Sequence, residues 1–332
     1  MSFLQDLEIE SSVKFTENGG KALSSTGDNL LNLFSVLGAL RSRPADVADK
    51  LDLAYAENAD LATKMVFYGR DVRGGLGERA VGRIMLKRLA EIHPEVVSAN
   101  LANVIEFGRW DDLFVLFGTK CEKDMLLFVK KQLLSDMDNC KKNKSVSLLA
   151  KWMPSINASS QETIRLANKF VNFFGTRKST YRKVLSKLRK YIDITEVKMS
   201  ANNWNEIDYE KVPSKAMSNY RNAFARNDND RFSDYMDGVT KGEKKINAST
   251  LYPYNIIEKM DNDCKGVCEA QWDALPNYVD GENNFLVMAD VSGQSTSTFK
   301  NLIKGIELSA FEMMEQALND SRYDSVIVPS QL

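Results

Sequence analysis

Asp290, Ser292, Gln294 and Ser295 form the group in this chain best suited by type and spacing to metal chemistry. The apolar run from Phe285 to Ala289 has strand length. It ends in Asp290, after which Val291, Ser292 and Gly293 make a turn into a helical pattern. A carboxylate two residues from a hydroxyl offers hard oxygen ligands, which suit Mg²⁺ at the carboxyl end of a strand. Gln294 stands where a third hydroxyl is expected, with Ser295 beside it. A plain strand-to-helix turn, capped by Ser295, Thr296 or Ser297, fits the same residues. An aspartyl phosphotransfer centre would need a second carboxylate two residues on, and Ser292 holds that place. No Gly-rich Lys-Ser/Thr phosphate loop and no Gly-x-Ser-x-Gly elbow occurs, so enzymatic chemistry is not expected. Only 42 residues follow Asp290, fewer than an ordinary α/β domain needs.

A second group is electrostatic. From Thr163 to Ile192 there is no Asp or Glu, while Arg165, Lys169, Arg177, Lys178, Arg182, Lys183, Lys187, Arg189 and Lys190 all lie in that stretch. From Ser179 onward, Tyr181, Val184, Leu185, Leu188, Tyr191 and Ile192 form one apolar stripe, and the cations fall on the opposite side. A surface helix normally mixes acids among its bases to form i,i+4 pairs. A face of one sign on a chain of net charge −1 points to phosphate binding. A solvated face neutralised by a neighbouring acidic helix is the competing reading.

Two Gly/Arg/Trp joints complete the candidates. One runs from Gly69 to Arg79, the other from Gly108 to Leu113. Architectural turns explain them better than ligand contact. His93, the only histidine, precedes Pro94 at a helix end with nothing to orient it, and is read as structural. Cys121, Cys140, Cys264 and Cys268 lack zinc-type pairing and read as reduced thiols of a cytoplasmic protein.

The elements that must position these groups are mostly helices. Helical periodicity covers Asn29–Leu40, Leu51–Ala56, Ala59–Gly69, Gly77–Ile92, Val96–Phe107 and Asp124–Leu134, with short Gly, Pro and Asn joints between. Paired helices with short links predict a HEAT-like array. After residue 285 the pattern becomes strand, helix (Phe299–Leu318) and strand (Asp324–Val328), one βαβ unit. The expected fold is therefore mainly α. It has an N-terminal extension at 1–20, a helical-repeat domain at 21–280 and a truncated α/β segment at 281–332. With 43% hydrophobic and 27% charged residues, the composition is that of a globular protein. No apolar run of 18 residues occurs, so no transmembrane helix is expected, nor is a secretory leader.

The joints also carry a resemblance. Arg70 to Gly75 with Gly77 to Arg79, and Gly108 to Leu113, resemble the Ro autoantigen (TROVE-module) proteins. They are closer still to a poorly characterised Ro-related family of bacteria, phages and eukaryotes. Lys151 to Ser155, Tyr181 to Lys183, Val212 to Ser214 and Lys245 to Ala248 continue the likeness, and Asp290 to Gly293 resembles the start of a von Willebrand factor A domain. The resemblance implies a ring of HEAT-like repeats closed by an α/β domain with a metal-ion-dependent adhesion site. It also implies binding of non-coding RNA, with single-stranded ends in the ring and structured RNA on a basic outer surface. The metal motif carries over to Asp290 and Ser292, departs at Gln294, and lacks its later Thr and Asp.

The function expected is thus non-enzymatic RNA binding through the basic helix, with a weak Mg²⁺ site. The alternatives are a protein-binding scaffold with a Mg²⁺-dependent contact and, furthest behind, a metal-dependent phosphotransfer enzyme.

Overall fold

The computed structural model describes residues 27–260, 265–275 and 310–329, plus the backbone of a short hairpin. In the hairpin, β1 (Val13–Phe15) pairs antiparallel with β2 (Lys21–Leu23), Val13 opposite Leu23. The helices, in order, are α1 (Asn29–Val36), α2 (Asp46–Glu57), α3 (Ala59–Arg70), α4 (Arg79–Ile92), α5 (Pro94–Ala99) and α6 (Leu101–Glu106). Then come α7 (Glu122–Lys141), α8 (Leu149–Trp152), α9 (Gln161–Phe174), α10 (Lys178–Ile192) and α11 (Thr195–Ser200). The last are α12 (Ser214–Asn227), α13 (Asn229–Thr240), α14 (Pro253–Ile257), α15 (Lys265–Asp273) and α16 (Ala310–Leu318). The described part is mainly helical, as the periodicity predicts. None of its helices is long and apolar enough to cross a membrane.

The chain forms two compact units, residues 1–132 with 288–332, and residues 133–287. In the first unit each helix from α1 to α4 packs on the next. Side-chain caps set two of the starts: Asp28 accepts from the Leu31 amide at 2.7 Å and Asn58 from Leu61 at 3.0 Å. Leu33, Leu37, Leu40, Leu51, Met65, Met85 and Leu89 are fully buried between these helices. Each such side chain withdrawn from water contributes about 1.5–3 kcal/mol before entropy is counted. α16 adds Met314 and Leu318, also fully buried, against α1 and α3.

Two expectations change here. The continuous helix over Val96–Phe107 is split at Asn100 into α5 and α6. The expected strand at Asp324–Val328 is not a strand: a 3₁₀ turn at Ser321–Tyr323 leads into an unpaired stretch over 326–329. Side-chain bonds account for the second. Asn100 Oδ1 accepts the Ile327 amide at 3.0 Å and its Nδ2 donates to the Ile327 carbonyl at 2.5 Å. Asn103 Nδ2 donates to the Ser325 carbonyl at 2.7 Å and its Oδ1 accepts from Ser325 Oγ at 2.9 Å. Two side chains thus take the backbone bonds a neighbouring strand would have taken. The expected strand at Phe285–Ala289 lies outside the described residues, as does the first part of the expected helix from Phe299.

In the second unit α9 pairs with α10, α8 packs on α10, and α12 pairs with α13. One apolar cluster there is Ile207, Tyr209, Val212, Met217, Phe224, Phe232, Tyr235 and Val267. Ser160 caps α9, accepting from the Thr163 amide at 3.4 Å. Gly175, at φ 64°, ends it: the left-handed turn lets the Thr176 amide return to the Val171 carbonyl at 3.2 Å. α10 then starts only three residues after Gly175, which places the two basic helices side by side.

Candidate nucleic-acid interface

α10 is amphipathic, and its core side is set by three residues. Tyr181, Leu185 and Leu188 are buried, while Lys178, Arg182, Lys183, Lys187 and Lys190 are exposed. Arg165 and Lys169 are exposed on α9, and Arg177 in the joint between the helices. Eight of the nine expected contact residues therefore reach solvent. Among the described residues, Arg165, Arg177, Lys178, Arg182, Lys183, Lys187 and Lys190 form no ion pair. Among those residues, a neutralising acidic neighbour is therefore absent. No side chain caps the start of α10 at Arg177, so the positive end of the helix dipole adds to the same field.

Arg189 is the exception and corrects the expected set. Its Nε donates to the Ala150 carbonyl at 2.8 Å, its Nη1 to Ser155 Oγ at 2.8 Å, and its Nη2 to the Met153 carbonyl at 2.7 Å. The guanidinium is committed to the turn after α8, where Tyr181 Oη also donates to the Pro154 carbonyl at 2.8 Å. Burial pushes the Arg189 pKa down, opposed by Tyr181, and burial pushes the Tyr181 hydroxyl up. Arg189 is part of the scaffold, not of the exposed face.

A second basic element is not apparent from the helical periodicity. Lys141 ends α7 and the loop after it carries Lys142 and Lys144, all three exposed. Asn143, at φ 53°, turns the chain and lets the Lys144 amide bond back to the Asn139 carbonyl at 2.9 Å. Buried Asp136 then fixes the next residues, accepting from the Ser147 amide at 3.0 Å and from Ser147 Oγ at 2.6 Å. Tyr191, in the last turn of α10, donates its hydroxyl to the Lys144 carbonyl at 2.9 Å. This loop therefore sits against the Lys187–Lys190 end of the basic helix. Lys142 pairs with Asp138; Lys141 and Lys144 have no ion partner among the described residues. The signal in the sequence is the run Lys141-Lys142-Asn143-Lys144 itself, which resembles any polar helix end.

The Gly/Arg/Trp joints behave as architecture. Asp112, buried, accepts from Arg70 Nε at 2.8 Å, Arg83 Nε at 2.5 Å and the Arg109 amide at 2.9 Å. Asp111 accepts from Arg83 at 2.8 Å, Arg79 at 3.0 Å and Arg109 at 2.7 Å. Burial would raise the Asp111 pKa, but the hydrogen bonds and charges of Arg109 and Arg83 prevail and hold it below the ordinary carboxylate value. Asp71 accepts from the Arg73 and Gly74 amides, at 2.8 and 3.2 Å, and from Tyr323 Oη at 3.1 Å. A Cβ at Gly75 would lie 1.9 Å from the Tyr68 carbonyl oxygen, so this joint requires glycine. The cavity beside Arg70 and Asp112 is about 10 Å³, room for no more than about one water.

A family model described as "Domain of unknown function (DUF2828)" matches residues 16–134 and 167–285, well over half of the chain. The chain belongs to that family. It is also similar to "Uncharacterized protein L728" of Acanthamoeba polyphaga mimivirus, 26% identical over a match covering 85% of this chain and 56% of the relative. The chain thus spans about half the length of that curated relative. No solved structure matches it significantly.

Within the family-matched segments lie both Gly/Arg/Trp joints and all of α10, with its basic face; the Lys141–Lys144 loop falls between the segments. The expected metal turn at Asp290, Ser292, Gln294 and Ser295 lies outside the described residues. Among the described residues, no group of three or more His, Cys, Asp and Glu is placed to hold a metal ion. His93 stacks on Tyr55 with ring centroids 3.9 Å apart, and Cys121, Cys140 and Cys268 are buried.

Proposed function

We propose that this DUF2828 chain binds RNA, without catalysis, through the basic face of α9 and α10. The observation carrying this reading is the set Lys178, Arg182, Lys183 and Lys187: exposed, on one face of one helix, and without an acidic partner among the described residues. Neutralisation of phosphates by such a face supplies most of the sequence-independent affinity for nucleic acid. The resemblance of the motif order to that of the Ro autoantigen proteins supports the same function and favours a HEAT-like arrangement of the helix pairs. In that arrangement the helices supply a rigid support and the exposed cations a track for the backbone.

Filter binding of single-stranded and hairpin RNA tests the reading. The triple variant Arg182→Glu, Lys183→Glu, Lys187→Glu should lose most of the affinity of the wild-type chain. Arg189 is left out because its replacement would unseat the α8 turn. Affinity unchanged in the triple variant would rule out this face. The scaffold alternative predicts association that tolerates salt and purified protein whose absorbance spectrum shows no nucleic acid.

A further inference from the structure

The joint between α10 and the Lys141–Lys144 loop adds a feature that charge alone does not supply. We infer that the Tyr191 ring is a stacking platform for an unpaired base, with Lys144, Lys187 and Lys190 taking the flanking phosphates. This rests on the RNA reading above and narrows it to single-stranded RNA at this end of the helix.

Three observations carry it. Tyr191 is 38% exposed, although its hydroxyl is already tied to the Lys144 carbonyl at 2.9 Å. The bond fixes the ring across the gap between helix and loop, so little side-chain freedom remains to be lost when a base stacks. The support under that bond is itself fixed, by the left-handed turn at Asn143 and by Asp136 on Ser147.

Second, Tyr191 lies at the edge of the apolar stripe, where exposed cations neighbour it along the helix and in the loop it holds. Lys187 lies one turn earlier on the same helix face as Tyr191. Lys190 precedes Tyr191, and Lys144 supplies the carbonyl that the ring holds. All three are exposed and lack an ion partner among the described residues.

Third, the nearest acid along the helix end does not oppose an anion. Asp193 sits in a left-handed C-terminal turn at φ 60° and is paired with Lys198 at 2.7 Å. A planar apolar surface between unpaired cations fits a nucleobase between phosphates. In an A-form duplex the base faces are hidden in the stack, so this platform selects single strands.

A short oligouridylate and an abasic phosphodiester of the same length, each fluorescently labelled, separate this inference from the reading beneath it. The wild-type chain should bind the oligouridylate about tenfold more tightly than the abasic strand. Tyr191→Leu should remove that difference and leave the abasic affinity unchanged, while Tyr191→Phe should keep most of it. Equal wild-type affinity for the two strands would overturn the platform while leaving the basic face standing. A Tyr191→Leu variant weakened equally for both would also overturn it, because the ring would then be only a strut. Binding of neither strand would refute the RNA reading itself. A measurement without any variant uses 2-aminopurine within the oligomer: its fluorescence should be quenched when the wild-type chain binds. Binding without quenching contradicts the platform.

Discussion

Arg189 Nη2 donates to the Met153 carbonyl at 2.7 Å, and through this bond and two others one guanidinium closes the turn after α8 onto α10. Arg182, two turns earlier on the same helix, is exposed and makes no ion pair among the described residues. The two arginines should therefore separate stability from binding. Arg189→Ala should cost about 2–4 kcal/mol, since it leaves two carbonyls without their donor. Arg182→Ala should change stability by less than about 0.5 kcal/mol. Urea unfolding midpoints of the two variants provide the comparison.

Asp112 is the more severe site in the first unit. Its side chain is 2% exposed and joins Arg70, Arg83 and the Arg109 amide. Asp112→Asn keeps the shape but leaves two guanidinium groups around a neutral amide. The expected loss is about 3–5 kcal/mol, the range for removing one partner of a buried ion pair. A thermal melt lowered by only a degree or two would show the network to be dispensable.

The pH dependence should report Asp111. Its folded pKa lies below the ordinary value, with Arg109 and Arg83 outweighing the effect of burial. The stability it contributes is therefore complete above the unfolded pKa of about 3.9 and is lost as pH falls through the folded pKa. The wild-type urea midpoint should drop on acidification below about pH 4. Asp111→Asn should start from a lower midpoint and show a shallower acid limb. Parallel acid limbs for the two proteins would place the effect on other carboxylates.

Asn100 gives a local test of the terminal segment. With both of its amide atoms bound to the Ile327 backbone, Asn100→Leu should leave that backbone group without partners and cost about 1–3 kcal/mol. Hydrogen exchange at the Ile327 amide should accelerate in the variant, while exchange in the second unit stays as it was.

Much of the fold is legible in the sequence because helices repeat at short range. The stripe Tyr181, Leu185, Leu188 is enough to orient α10, and caps such as Asn58 mark starts within three residues of their partners. What is not legible depends on residues distant in sequence. Periodicity puts Arg189 with the cations opposite the apolar stripe, but the Ala150 and Met153 carbonyls, distant in sequence, hold it to the scaffold. Asn100, where an otherwise helical pattern breaks, binds Ile327, far along the chain. Ser325 to Val328 is a short β-branched run that reads as a strand, yet in the structure its backbone is bound by asparagine side chains. The Val212–Ser214 and Lys245–Ala248 motifs form one closure. Asn247 donates to the Glu210 and Val212 carbonyls, and Gln271 donates to those of Ser214 and Asn247.

The salt dependence of RNA binding addresses the basic face most directly. For a single-stranded RNA, log affinity against log salt should fall with a slope of about 0.7 for each phosphate neutralised. The triple variant Arg182→Glu, Lys183→Glu, Lys187→Glu should show a slope shallower by about 2, from the three lost contacts. A wild-type slope near zero, or equal slopes for the two proteins, would contradict RNA binding at this face.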